Sequence, residues 1–226
     1  LSLHDALPIY CYYDKEEEQV WELLTLSFTD EMPQNFNLGL YKDKIYYELL
    51  DYEAGTIQIM EYDLTENETT TIYKVTGKTK DELANQSIDV NGNDLLVTTY
   101  LKDIPTIMHV NLDKVHEEGY KPDFVYLNSD VSNFYSVSYE DDMYAVYYND
   151  YMSDKISLFG KDGKSIKQVV KFNKDYYAFN DEIYLKGGNL YWVDFDNKNQ
   201  DKKAGDKFKL KIYNLKDSRV YSVDKI

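Results

Sequence analysis

An all-β fold of small four-stranded sheets stacked radially, a β-propeller, is what this 226-residue sequence predicts. Three observations predict it. Four apolar-aromatic runs recur, "KIYYELL" from Lys44, "DLLVTTY" from Asp94, "DMYAVYY" from Asp142 and "NLYWVDF" from Asn189, and from Ile45 to Leu95, Met143 and Leu190 they step by 50, 48 and 47 residues. Each run follows a short polar turn: Lys42-Asp43, Asn91-Gly92-Asn93, Glu140-Asp141 or Gly187-Gly188. Asn-Gly and Gly-Gly are hairpin chemistry, because they accept positive φ cheaply. Helical periodicity is nearly absent, with only Asp14 to Leu24 and Lys78 to Ala84 reading as short helical turns.

Each unit resolves into four strands in order. A short segment leads: "NFNLGLY", "QSIDV", "NFYSVSY" or "DEIYLK". The recurrent run is second. Third come "TIQIMEYDL", "TIMHVNL", "KISLFGKDG" and "FKLKIYNL", three of which end alike in Tyr62-Asp63-Leu64, Val110-Asn111-Leu112 and Tyr213-Asn214-Leu215. Last are "TTTIYKV", "PDFVYL", "SIKQVVKF" and "SRVYSV". One small sheet cannot bury both faces alone, whereas radial neighbours cover each other. Central strands should then be apolar almost continuously, as "LLV" and "YAVYY" are. A two-sheet sandwich would space its strands irregularly and is the alternative fold. The blades are read at 35–84, 85–131, 132–173 and 174–226, within a ring expected to be incomplete.

Before them, "IYCYYDK" and "QVWELLTLSF" resemble second and third strands, so 10–34 reads as a truncated blade. Leu1 to Ile9 is different. It has no Lys or Arg, carries Asp5 in its middle and shows no cleavage site, so it is not a signal peptide. "LSLHDALPI" is the in-frame translation of CTT TCC CTA CAC GAC GCT CTT CCG ATC, which resembles the end of a common sequencing adapter. Residues 1–9 are therefore expected to be an artefact, with the native chain starting near Tyr10 and missing its natural N-terminus.

The formal charge is −16, or −15 without Asp5. So acidic a surface repels nucleic acid and anionic membranes, and neither is expected as a partner. No run approaches the roughly 18 apolar residues of a membrane span. The single cysteine, Cys11, provides neither a disulfide framework nor a thiolate metal site. Tyrosine, at 24 residues, suits half-buried strands whose outer edge is wet. Together with abundant Asn, Lys and Ile it points to an AT-rich bacterial genome.

In the fourth unit, Leu190-Tyr191-Trp192-Val193-Asp194 resembles the Leu-Tyr-Trp-Thr-Asp motif of low-density-lipoprotein-receptor-type propellers. "KIYYELL" and "LKIYNL" are similar to strands of related bacterial lipoprotein propellers. Val193 replaces the Thr, and the other three units lack Trp-x-Asp. The resemblance implies a propeller that binds extracytoplasmic ligands. Inter-blade packing is the other role for Trp192.

Catalytic chemistry has few candidates. His109 reads as a strand-face histidine and His116 as a solvated loop histidine. The aspartate-box pattern of sialidase propellers is absent. Acid pairs of the glycosidase kind cannot be picked from 41 acidic residues. "DFDNKNQDKKAGD" alternates oxygens as calcium loops do, but Lys198 stands where such a loop needs an oxygen ligand, so a solvated hairpin tip is expected. No metal and no cofactor is expected. Asn67-Glu68-Thr69 and Asn85-Gln86-Ser87 fit the glycosylation pattern.

In the topology the propeller reading implies, turns between second and third strands share one face. That face would gather Asp51 and Tyr52, Lys102 and Asp103, and Asp150 and Tyr151, with Glu53, Asn149 and Met152 beside them. An acidic rim bearing tyrosines suits a protein or carbohydrate ligand. The function expected is a non-enzymatic, extracytoplasmic binding module of a bacterial lipoprotein or sensor. The propeller domain of a hydrolase, glycosidase or peptidase, is the alternative, and a purely architectural spacer is the third reading.

Overall fold

The computed structural model describes residues 9–14, 19–25, 38–51, 53–76, 87–173, 176–196 and 207–223. The chain divides into two units, Leu1–Asn35 and Phe36–Ile226. The first holds one antiparallel hairpin, β1 (Ile9–Asp14) and β2 (Gln19–Thr25). Where it is described, at Asp14 and from Gln19 to Leu24, the helical turn expected from Asp14 to Leu24 is strand, and residues 15–18 lie outside the described residues. A helix so short is marginal in water, whereas pairing with β1 gives the same backbone groups partners. The companion expectation at 78–84 lies outside the described residues.

The second unit is four antiparallel sheets in succession, each with its strands in chain order. The first sheet is β3 (Leu38–Tyr41), β4 (Lys44–Asp51), β5 (Thr56–Asp63) and β6 (Glu68–Thr76). The second is β7 (Ser87–Asn91), β8 (Asp94–Leu101), β9 (Ile104–Asn111) and β10 (Asp123–Tyr126). The third is β11 (Asn133–Glu140), β12 (Met143–Asn149), β13 (Asp154–Gly160) and β14 (Ser165–Lys171). The fourth is β15 (Tyr176–Lys186), β16 (Asn189–Asp196), β17 (Phe208–Asn214) and β18 (Arg219–Val223). The four recurrent runs all occupy the second position, as β4, β8, β12 and β16.

Tight turns make this possible. Lys102-Asp103, Asp141-Asp142 and Gly187-Gly188 place both central residues at positive φ, the conformation that matches the twist of two paired strands. Two of these turns do so without glycine.

Three hydrophobic clusters lie between successive sheets. Tyr46, Ile57 and Ile59 meet Leu95, Val97 and Met108 between the first and second. Leu96 and Ile107 meet Val137, Tyr144 and Val146 between the second and third. Ala145, Tyr147 and Ile156 meet Leu185, Leu190 and Trp192 between the third and fourth. Adjacent residues such as Leu95 and Leu96, or Tyr144 and Ala145, therefore face opposite neighbours, because side chains alternate across a strand. That is why the second strands are continuously apolar.

The leading strands pack on one another, β3 on β7, β7 on β11 and β11 on β15. Polar bonds between them join residues one repeat apart. The Val137 N–H donates to Asp89 Oδ2 at 3.3 Å and Asn91 Nδ2 to the Tyr139 carbonyl at 3.2 Å. Farther round, the Leu185 N–H donates to Ser138 Oγ at 2.9 Å, and the Gly187 and Gly188 N–H groups reach the two Glu140 carboxylate oxygens at 2.7 and 2.9 Å. The sheets are fanned in register. Among the described residues, no helix is long and apolar enough to cross a membrane.

Candidate functional site

Up-and-down order puts the turns after first and third strands at one edge of every sheet and those after second strands at the other. The described candidate rim residues fall on the second edge, Asp51 on the first sheet, Lys102 and Asp103 on the second, and Asp150 and Tyr151 on the third. Asp51 is exposed, its Oδ1 accepting the Ala54 N–H at 2.8 Å; Tyr52 lies outside the described residues. Lys102 and Asp103 form an exposed turn with φ of 53° and 61°. The third pair sits in the most elaborate turn among the described residues of that edge.

That turn, Asn149 to Ser153, is a polar cage around its own backbone. Asn149 Oδ1 accepts the Tyr151 N–H at 2.7 Å and the Ser132 hydroxyl at 2.9 Å, while its Nδ2 donates to Asp154 Oδ1 at 2.7 Å. Asp150 Oδ1 accepts the N–H groups of Met152 and Ser153 at 3.2 and 3.0 Å. Its other oxygen pairs with the Lys155 ammonium, and both side chains are largely buried. The Lys155 hydrogen bond, together with those N–H groups, holds the Asp150 carboxyl down at about 2 despite some desolvation.

The cage fixes what the turn displays. Tyr151 has φ of 70°, a left-handed conformation that costs an ordinary residue about 1 kcal/mol or more. Tyr151 is 81% exposed and Met152 85%. Inside, hydrogen-bonding groups satisfy one another; outside stand a phenol and a thioether. Tyr100 of the second sheet is near enough to feel the Tyr151 phenol. Its hydroxyl donates to the Val131 carbonyl at 3.1 Å, and its pKa is pushed up to about 12, by burial first and by the nearby Tyr151 phenol second. The shared-face topology marked Asp150 and Tyr151, with Asn149 and Met152 beside them. The cage itself, and the part Ser132 takes in it, escaped that reading, although Asn-Asp followed by Ser is side-chain-capped turn chemistry.

The opposite edge carries a cleft of about 650 Å³ where three sheets meet, lined by Asn91, Asp94, Tyr139, Glu140, Asp141, Asp142, Leu185 and Lys186. Most of its polar groups are already engaged. Glu140 holds the Gly187-Gly188 turn, and Asp142 takes Lys161 Nζ at 3.0 Å and the Tyr139 hydroxyl at 3.2 Å. His109 is indeed on a strand, but both imidazole nitrogens are committed: Nε2 to Asp94 Oδ1 at 2.7 Å and Nδ1 to the Tyr144 hydroxyl at 2.8 Å. It bolts the second sheet to the third. His116 is not simply solvated, since its Nε2 lies 3.1 Å from both oxygens of the buried Glu61. Burial pushes the Glu61 carboxyl up, but Lys44, Tyr46 and His116 together bring it below its usual value. Trp192 is inter-blade packing: its ring is buried between the third and fourth sheets and its Nε1 donates to Asp194 Oδ1 at 2.6 Å. Residues 197–206, which hold most of the calcium-like stretch, lie outside the described residues.

No family model and no curated protein sequence matches the chain. Solved structures do. The β-propeller domain of the trilobed protease from Pyrococcus furiosus is similar over 100% of this chain and 66% of its own, with a TM-score of 0.57 and 14% identity. A chain of the nidogen/laminin complex is similar over 92% of this one and 68% of its own, at 0.54 and 12%. TolB from Acinetobacter baumannii is similar over 96% and 49%, at 0.52 and 16%. The chain thus spans about half to two-thirds of these proteins. At such identities the likeness shows the fold, and the fold is a β-propeller of four four-stranded sheets with a partial fifth.

Proposed function

We propose that this chain is a non-enzymatic binding module that recognises a protein through the edge carrying Tyr151 and Met152. One observation carries the reading: a large aromatic and a large thioether side chain are held almost fully in water on a turn whose backbone is caged. Exposed apolar side chains scattered singly need no explanation, but two adjacent ones on a strained, hydrogen-bonded support do. Pre-ordering lowers the entropy lost on association, and buried aromatic anchors dominate binding energy. The cage also favours one ligand class. A sugar needs free hydrogen-bonding groups, and the Asn149 and Asp150 side chains of this turn are spent on the turn itself, so an apolar pocket on a protein is the better complement. Asp51, Tyr52, Lys102 and Asp103 would form the polar rim, and the strong negative charge favours a partner with basic surroundings. An extracytoplasmic, lipoprotein-like setting is proposed with it, supported by the resemblance of Leu190 to Asp194 to secreted-receptor propellers.

The test is a pair of screens, the chain and its Tyr151→Ala/Met152→Ala variant each presented to arrays of extracellular proteins and of glycans. Protein hits that weaken at least tenfold in the variant, at unchanged melting temperature, are expected. Hits that bind both forms equally, or glycan hits alone, would overturn the assignment.

A further inference from the structure

Resting on that reading, we infer that Met152 is a modification site: peroxide-class oxidants convert its thioether to the sulfoxide ahead of the other described methionines, and the conversion turns the docking tip from apolar to polar. Of five methionines, Met32 lies outside the described residues. Met60 and Met108 are 8% and 1% exposed, packed at sheet interiors, and the Met60 sulfur also accepts the Thr71 hydroxyl at 3.4 Å. Met143 is half-buried against the cluster between the third and fourth sheets. Met152 is 85% exposed.

Oxidation needs direct contact of sulfur with oxidant, so access sets the order of reaction. A sulfur lone pair attacks one peroxide oxygen, the S–O bond forms and the O–O bond breaks. The departing hydroxide takes the proton left on the transferred oxygen and leaves as water. Sulfur loses two electrons and the peroxide gains them. The product is a chiral, strongly accepting sulfoxide where a soft apolar group had been. The cage is indifferent to this change, because it grips Met152 by its backbone N–H and through Asp150, not by its side chain. Modification therefore alters the surface without loosening the fold.

The experiment treats the whole chain with hydrogen peroxide and follows each methionine by fragment-resolved mass spectrometry, with the melting temperature read alongside. The expected result is one added oxygen at Met152 at least about tenfold faster than at Met108 or Met60, with no change in melting temperature, as access-controlled oxidation requires. The Met152→Leu variant, still apolar but without sulfur, is expected to lose that fast uptake. Oxidation of Met108 or Met60 in step with Met152, or melting that falls as Met152 reacts, would overturn the assignment. The two proposals fail separately. Fast uptake at Met152 with array hits indifferent to Tyr151→Ala/Met152→Ala would sink the docking tip alone, whereas slow uptake with sensitive hits would sink only the modification site.

Discussion

Glu48 shows what a single residue can cost a packed interface. It points from β4 into the space between the first two sheets, is 6% exposed, and its Oε2 has no hydrogen-bond partner. Burial first, and the negative field of Asp89 second, push its pKa from 4.5 up to about 7. Between those values the folded chain keeps a proton that the unfolded chain has released, so stability present in full below pH 4.5 is lost as pH rises through 7. Glu48→Gln should therefore be more stable than the parent at pH 8, by on the order of 3 kcal/mol, and lose that advantage at pH 4; urea unfolding at both pH values measures this. Gly163 is the steric counterpart. Its φ is +75°, and a Cβ there would lie 1.8 Å from the Tyr126 carbonyl oxygen, at the end of β10 in the neighbouring sheet. Gly163→Ala should cost roughly 2 kcal/mol or more in the same measurement, because neither the backbone it meets nor the left-handed turn can yield.

At the scale of elements, the sheets are joined by bolts the repeat does not spell out. Asp94, His109 and Tyr144 link β8 and β9 to β12, and Tyr144→Phe would strand His109 Nδ1 at a largely buried site. A loss of about 1–2 kcal/mol is expected, and most of it should vanish when His109→Phe is already present, which a double-mutant cycle would reveal. The strands themselves were legible: apolar residues at both parities in "LLV" and "YAVYY" require cover on both faces, and that requirement names the architecture. The bolts were not. His109 meets a tyrosine 35 positions away, and the cage around Tyr151 recruits Ser132 from 19 positions away. Tyr151 was identifiable as a turn residue, but its positive φ and its display depend on those distant partners. The helical reading failed from Gln19 to Leu24 for the same reason, since local preference yields to a pairing strand.

For the whole molecule, the central claim is that small sheets cover one another in order, so that neighbouring residues on a second strand look toward different sheets. The proposed display rests on it, because stacking in register is what puts the turns after second strands on a common edge. Methyl–methyl nuclear Overhauser spectroscopy tests it at two adjacent leucines. Leu95 should show cross-peaks to Ile57 or Ile59 of the first sheet, and Leu96 to Val137 or Val146 of the third. Cross-peaks from both leucines to the same sheet, or from neither to any other, would contradict radial stacking and remove the basis for the shared edge.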